Sequence, residues 1–165
     1  MRICATTVMA LILTVIAHAS QTNVVPAFAL QDQFGQTHSI SFPREKACVL
    51  MIGDREGSQQ LGGWSKPVFE KLGQRVDIFG LADLRQVPQP IRPLVRDSFN
   101  EKHSRPILLD WDGAVVKRYV YEPKQALVLV VDSTGTIRHR ATGVADEPKL
   151  AAVFASLRGV ETDGK

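Results

Sequence analysis

Apolar positions in this chain fall into short runs separated by glycine, proline and polar turns. "PAFALQDQFGQTHSISF" (26–42) alternates around Phe28 and Leu30, and again around Ile40 and Phe42, with Gly35 placed where a tight turn needs a positive φ. It predicts strand, turn, strand. "ACVLMIG" (47–53) is a continuous apolar run of strand length, as expected for a strand buried on both faces. Residues 58–72 carry Leu61, Trp64, Val68 and Leu72 at helical spacing. Ser58 is the expected N-cap, and Gly62, Gly63 and Pro67 predict a weak or kinked helix.

A second buried strand follows at "VDIFGLAD" (76–83), then a loop at "QVPQP" (86–90). Ile91, Leu94, Val95, Ser98 and Phe99 form a helical stripe that ends near His103. "PILLD" (106–110) reads as a short strand, and "DGAVVKRYVY" (112–121) as a turn with a short helix. "ALVLVVD" (126–132) is the most apolar strand, followed by the turn "DSTG" and the polar-alternating strand "TIRHRATG" (136–143). A last helix is capped by Asp146 or Glu147, with Pro148 in its first turn. Leu150, Val153, Phe154 and Leu157 line one face, and Gly159 is expected to close it. The order β-β-β-α-β-α-β-(α)-β-β-α implies parallel crossovers and a closing antiparallel hairpin. The expected fold class is a three-layer α/β domain with a mixed central sheet.

The first 19 residues are expected to lie outside this domain. Arg2 precedes the apolar run "ICATTVMALILTVI", and Ala17-His18-Ala19 fits a small-x-small cleavage rule, placing the cut before Ser20. The run is short for a membrane span, which needs ~20 residues, although an uncleaved anchor is the competing reading. The expected division is a signal peptide at 1–19, an N-terminal tail at 20–25, a domain at 26–159 and a C-terminal tail at 160–165. A periplasmic or secreted location follows.

Lys and Arg number 20 against 17 Asp and Glu, and they are scattered, so neither a nucleic-acid stripe nor a polybasic membrane patch is expected. The sequence has two cysteines, and Cys4 would leave with the signal peptide. Cys48 then stands alone, so the exported chain would carry neither an internal disulfide nor a dithiol.

The element order, with four local stretches, resembles the thioredoxin-like superfamily. Within it, the exported redoxins of the alkyl-hydroperoxide-reductase/thiol-specific-antioxidant type match most nearly. "FALQDQFGQ" is similar to that family's entry hairpin, and "CVLMIGD" to the strand that leads to its catalytic cysteine. "KPVFEKL" is similar to the continuation of its first helix, with Pro67 as the kink proline. "LVLVVDSTGTIRHRATG" is similar to its closing hairpin. The resemblance implies a thioredoxin-like fold over most of residues 26–158.

The departures bear on function. The resemblance places a cysteine pair at Gln59 and Gly62, or about two residues away, yet residues 49–102 contain no cysteine. The Pro and Thr that precede the single peroxidase cysteine are also missing. The family's cis-proline position falls near Ala126, and Pro123 serves only if a loop shifts the register. Family chemistry needs a thiolate. A serine hydroxyl is not ionised at neutral pH, and no histidine is near Ser58 in sequence to activate it. Cys48, within the central strand, reads as a small buried hydrophobe.

The other constellations are weaker. Asp54, Asp83 and Asp110 each end a core strand, where three carboxylates can hold Ca²⁺ or Mg²⁺. Aspartate is also common at turns and helix starts, and no metal or other cofactor is expected. His38, His103 and His139 lack metal spacing. Arg138-His139-Arg140 reads as a charged edge strand. Trp64 and Trp111 flank the expected crevice, as packing or as a ligand wall. The candidate ligand-binding residues are Asp54, Arg55, Ser58, Gln59 and Asp83, with Arg85 as an assisting cation if the sheet edge brings it close and an anion or carbonyl meets the helix start; the competing and favoured reading is that Asp54, Glu56 and Ser58 cap the helix themselves. Two functional readings stay open. One is an exported, non-catalytic domain that binds a protein or small ligand at the former active-site edge. The other is a thiol-dependent, peroxiredoxin-like enzyme using Cys48 or a partner's thiols.

Overall fold

The computed structural model describes residues 23–119 and 121–162. The expected signal peptide and its cleavage site lie outside them. A two-stranded antiparallel hairpin pairs β1 (Phe28–Gln31) with β2 (Thr37–Ile40). The main sheet follows with β3 (Cys48–Gly53), β4 (Asp77–Asp83), β5 (Ile107–Asp110), β6 (Leu127–Val131) and β7 (Ile137–Thr142), in the order β5-β4-β3-β6-β7. β3 runs parallel to β4, and β4 to β5, while β6 is antiparallel to β3 and β7 to β6. The helices are α1 (Gly57–Gln60), α2 (Gly62–Leu72), α3 (Arg92–Lys102) and α4 (Glu147–Thr162). Single 3-10 turns lie at Gln89–Ile91 and Val116–Arg118.

All six residues of β3 are buried, because the sheet is covered on both faces. Successive side chains point to opposite faces. Cys48, Leu50 and Ile52 meet Leu81, Leu108, Leu127 and Leu129 under the β1–β2 hairpin and Val115–Tyr119. Val49 and Met51 face the other way, onto Trp64, Val68 and Leu72 of α2 and Val153 and Leu157 of α4. Ala82 and Leu109 meet Val95 and Phe99 of α3 in a smaller cluster. The expected α3 stripe is only partly used: Val95 and Phe99 are half-buried, but Leu94 is 69% exposed.

Three expectations are corrected. The helix read over 58–72 breaks at Leu61 into α1 and α2, where Gly62 and Gly63 weaken propagation. Pro67 sits inside α2 and removes one ladder donor. Gly159 does not close the last helix, which continues to Thr162, since a glycine weakens a helix without having to end it. Part of the segment read as an N-terminal tail is docked. Val25 is buried, its N–H donates to Gly135 O (2.8 Å), and Asn23 O accepts the Ile137 N–H (2.8 Å).

Candidate functional site

β3 and β4 deliver Gly53 and Ala82 side by side to one end of the sheet, followed by Asp54 and Asp83. The chain then turns directly into α1. Asp54, not Ser58, caps this turn. Its Oδ1 accepts the Gly57 N–H (2.8 Å), and its C=O accepts the Ser58 N–H (2.8 Å). Ser58 lies within α1 and its hydroxyl donates to Arg55 O (2.9 Å). An aspartate one turn earlier reaches the first free N–H groups, which leaves the serine no donor to cap.

The loop before β6 closes against this helix start. Lys124, at φ 69°, donates its N–H to Asp54 Oδ2 (2.7 Å). Gln60 spans the same loop: its Nε2 donates to Lys124 O (2.9 Å) and its Oε1 accepts the Ala126 N–H (3.1 Å). The backbone passes so close to Gly57 that a Cβ there would stand 2.5 Å from Gln125 O. Only glycine fits at this position without moving the loop. Among the described residues the cis peptide is Phe42–Pro43, so Pro123 is trans, and Ala126 directly precedes β6.

Tyr121 is the residue the sequence reading missed. Its hydroxyl oxygen accepts the Asp54 N–H (2.6 Å), and burial pushes the phenol up to about 12, with the Asp54 and Asp83 carboxylates adding to the rise. Nothing in its local sequence marks it, since only the fold brings position 121 beside position 54. Asp83 is buried and held by Arg85, whose Nε and Nη2 lie 2.8 and 2.7 Å from its two oxygens. Asp83 in turn holds the Arg85 guanidinium firmly protonated. Asp110 accepts N–H bonds from Ala114, Val115 and Val116.

Of the five candidate residues, Asp54 and Asp83 gather around Tyr121, while Arg55, Ser58 and Gln59 line the exposed outer rim. The two carboxylates are engaged by the chain itself. Among the described residues no group of three or more His, Cys, Asp or Glu side chains is placed to hold a metal ion. Trp64 is core, with its Nε1–H on Gly143 O (2.8 Å), and Trp111 lies under the Arg92 guanidinium (5.3 Å). Neither forms a ligand wall at Asp54.

The thiol is far from this edge. Cys48 is wholly buried at the opposite end of β3, roughly 16 Å away at strand rise. Burial pushes its thiol up to about 12, so it carries almost no thiolate at neutral pH.

No family model matches the sequence, and no curated protein matches it. Solved structures do. The exposed lipoprotein thioredoxin Etrx1 of Streptococcus pneumoniae matches with a TM-score of 0.62 at 15% identity, over 81% of this chain and 99% of that one. Peroxidoxin BcpB of Mycobacterium tuberculosis matches at 0.61 and 17% identity, over 87% of this chain and 99% of that one. StoA of Bacillus subtilis matches at 0.59 and 16% identity, over 80% of this chain and 98% of that one. At such identities the likeness is one of fold. The entry hairpin, the mixed five-stranded sheet and the helix that follows its central strand give this chain a thioredoxin-like fold.

Proposed function

We propose that this chain is an exported thioredoxin-like domain that works without thiol redox chemistry, as a binding or accessory protein. The observation that carries the reading is the closure at Gly57. The resemblance places the thiols at Gln59 and Gly62 or about two residues away; neither position holds a cysteine, and two residues before Gln59 a side chain at Gly57 would meet the Gln125 carbonyl, with Asp54 and Gln60 tying that loop over the helix start. Cys48 supplies no substitute, being buried and almost wholly protonated. Arg55, Ser58 and Gln59 remain exposed on the rim beside Glu122 and Lys124. This is an outward polar surface, which suits a protein partner better than an enclosed small molecule.

Export rests on the Arg2, apolar-run and Ala17-His18-Ala19 series. Among the described residues no helix is long and apolar enough to cross a membrane. Mass spectrometry of the exported protein is expected to find an N-terminus at Ser20, and Met1 retained in a membrane fraction would instead indicate an anchor.

The second reading, a thiol-dependent oxidoreductase, is favoured by the redox proteins among the fold neighbours. The two separate cleanly. Insulin-reduction and peroxide-consumption rates should equal the buffer control. Turnover that disappears in Cys48→Ser would overturn the non-catalytic reading.

A further inference from the structure

The main sheet ends at β7, whose outer edge runs beside the first turns of α4. Between them lies an open groove of about 560 Å³, lined by His139, Arg140, Thr142, Pro148, Lys149 and Ala152 with their neighbours. The ladder register decides which main-chain groups face this groove. Gly143 donates its N–H to Ala126 O (2.9 Å), and Val128 pairs with Ala141. Inward-bonding residues alternate in an antiparallel pair, so Arg140 and Thr142 turn their N–H and C=O away from β6. Lys149 Nζ covers Thr142 O (3.2 Å) and Val144 O (2.9 Å). The donor and acceptor of Arg140 are the next along the edge.

This edge already accepts extended chain at its other end. Val24 bridges Thr136 in antiparallel fashion, flanked by the Asn23 and Val25 hydrogen bonds. A register shift at Val130/Val131 separates that end from residues 139–142.

Charge selects the occupant. Arg138 is tied to Asp132 (2.6 Å), and the Lys149 ammonium lies 3.5 Å from Asp146. Arg140 makes no ion pair among the described residues. Among the described residues it therefore sets a guanidinium without an ion-pair partner beside a main-chain donor and acceptor that make no bond. A second copy is a poor occupant, since antiparallel self-pairing would bring Arg138, His139 and Arg140 against the same three residues. A strand carrying a carboxylate opposite Arg140 forms a cross-strand ion pair, and its alternate side chains meet Pro148 and Ala152.

We propose that the β7 edge at residues 139–142 binds an extended acidic peptide segment by strand addition. Gln125, in the loop that closes on Gly57, also lines this groove. Main-chain pairing supplies the attachment, and Arg140 supplies the preference.

The test is a fluorescence-anisotropy titration of the protein with a labelled octapeptide of alternating Glu and Val. A Lys/Val octapeptide serves as the control. Two further Glu/Val peptides are N-methylated at one or the other alternate set of residues. The Glu/Val peptide is expected to bind and the Lys/Val peptide not to. Arg140→Glu should weaken binding about tenfold or more, and Arg140→Gln by less. One of the N-methylated peptides should lose binding. Equal affinity for the two charge types would overturn the proposal, as would unchanged affinity in Arg140→Glu with a native melting temperature. Binding that survives both methylation sets would overturn strand addition. A concentration-dependent dimer that Arg140→Glu strengthens would assign the edge to a second copy and likewise overturn it.

Discussion

Asp32 and Asp132 perform the same task at two turns far apart in the chain. Asp32 Oδ1 accepts the N–H groups of Phe34 and Gln36 (2.9 Å each), and Asp132 Oδ1 those of Thr134 and Thr136 (2.9 Å each). Gly35 and Gly135 follow at φ 83° and 95°, where a side chain would be strained. Six residues after each aspartate a basic side chain reaches back: His38 Nε2 at 2.7 Å and Arg138 Nε at 2.6 Å. Burial pushes both carboxyls up, but the His38 ring and the Gln36 and Phe34 N–H groups outweigh it at Asp32. Thr134, Thr136 and Arg138 outweigh it at Asp132, so both titrate below the ordinary carboxylate range. The unfolded chain then takes up these protons first as pH falls. The stabilisation is present above about pH 4 and is lost as pH falls through the folded-state values. Urea unfolding should show stability dropping between about pH 5 and pH 3. Asp32→Asn and Asp132→Asn should each flatten that slope and cost about 1–3 kcal/mol at pH 7. A slope unchanged in both variants would refute this account. The Asp-x-x-Gly turns were legible in the sequence. The returning His38 and Arg138 side chains were not, because a residue six positions away on the opposite strand shows no local pattern.

At the scale of the element, the first helix and the loop before β6 form one unit. Gly57→Ala would drive a methyl into the Gln125 carbonyl, so the loop must move. The expected cost is about 2–3 kcal/mol, well beyond the helix-propensity gain of alanine over glycine. Gln60→Ala removes both side-chain bonds to the loop and should cost about 1–2 kcal/mol. It should also speed amide exchange at Ala126 while leaving the β3–β4 amides protected. Exchange at Ala126 that stays slow would mean Asp54 alone holds the loop. The helix itself was legible from Leu61, Trp64, Val68 and Leu72, since period and burial agree there. Its cap was only partly legible, because Asp54 and Ser58 are both good cap residues. The choice between them depends on where β3 ends.

Across the whole molecule, the thiol and the candidate site occupy opposite ends of the central strand. Native Cys48 should react slowly with a thiol reagent and quickly in denaturant, as expected for a buried, protonated thiol. Cys48→Ala should cost about 1 kcal/mol. Cys48→Asp should cost far more, because it buries a carboxylate with no partner. Fast native labelling would contradict this placement. The sequence by itself determined the strands and helices, their order, and the absence of cysteine after position 48, because apolar period, turn chemistry and residue identity are local. Tertiary structure alone decided that Tyr121 meets Asp54, that Gln60 and Lys124 close the helix start, and that β7 leaves an edge at Arg140. Those contacts join residues distant in sequence through strand order and register. A one-residue change of register in β7 would turn Arg140 to the other face of the sheet.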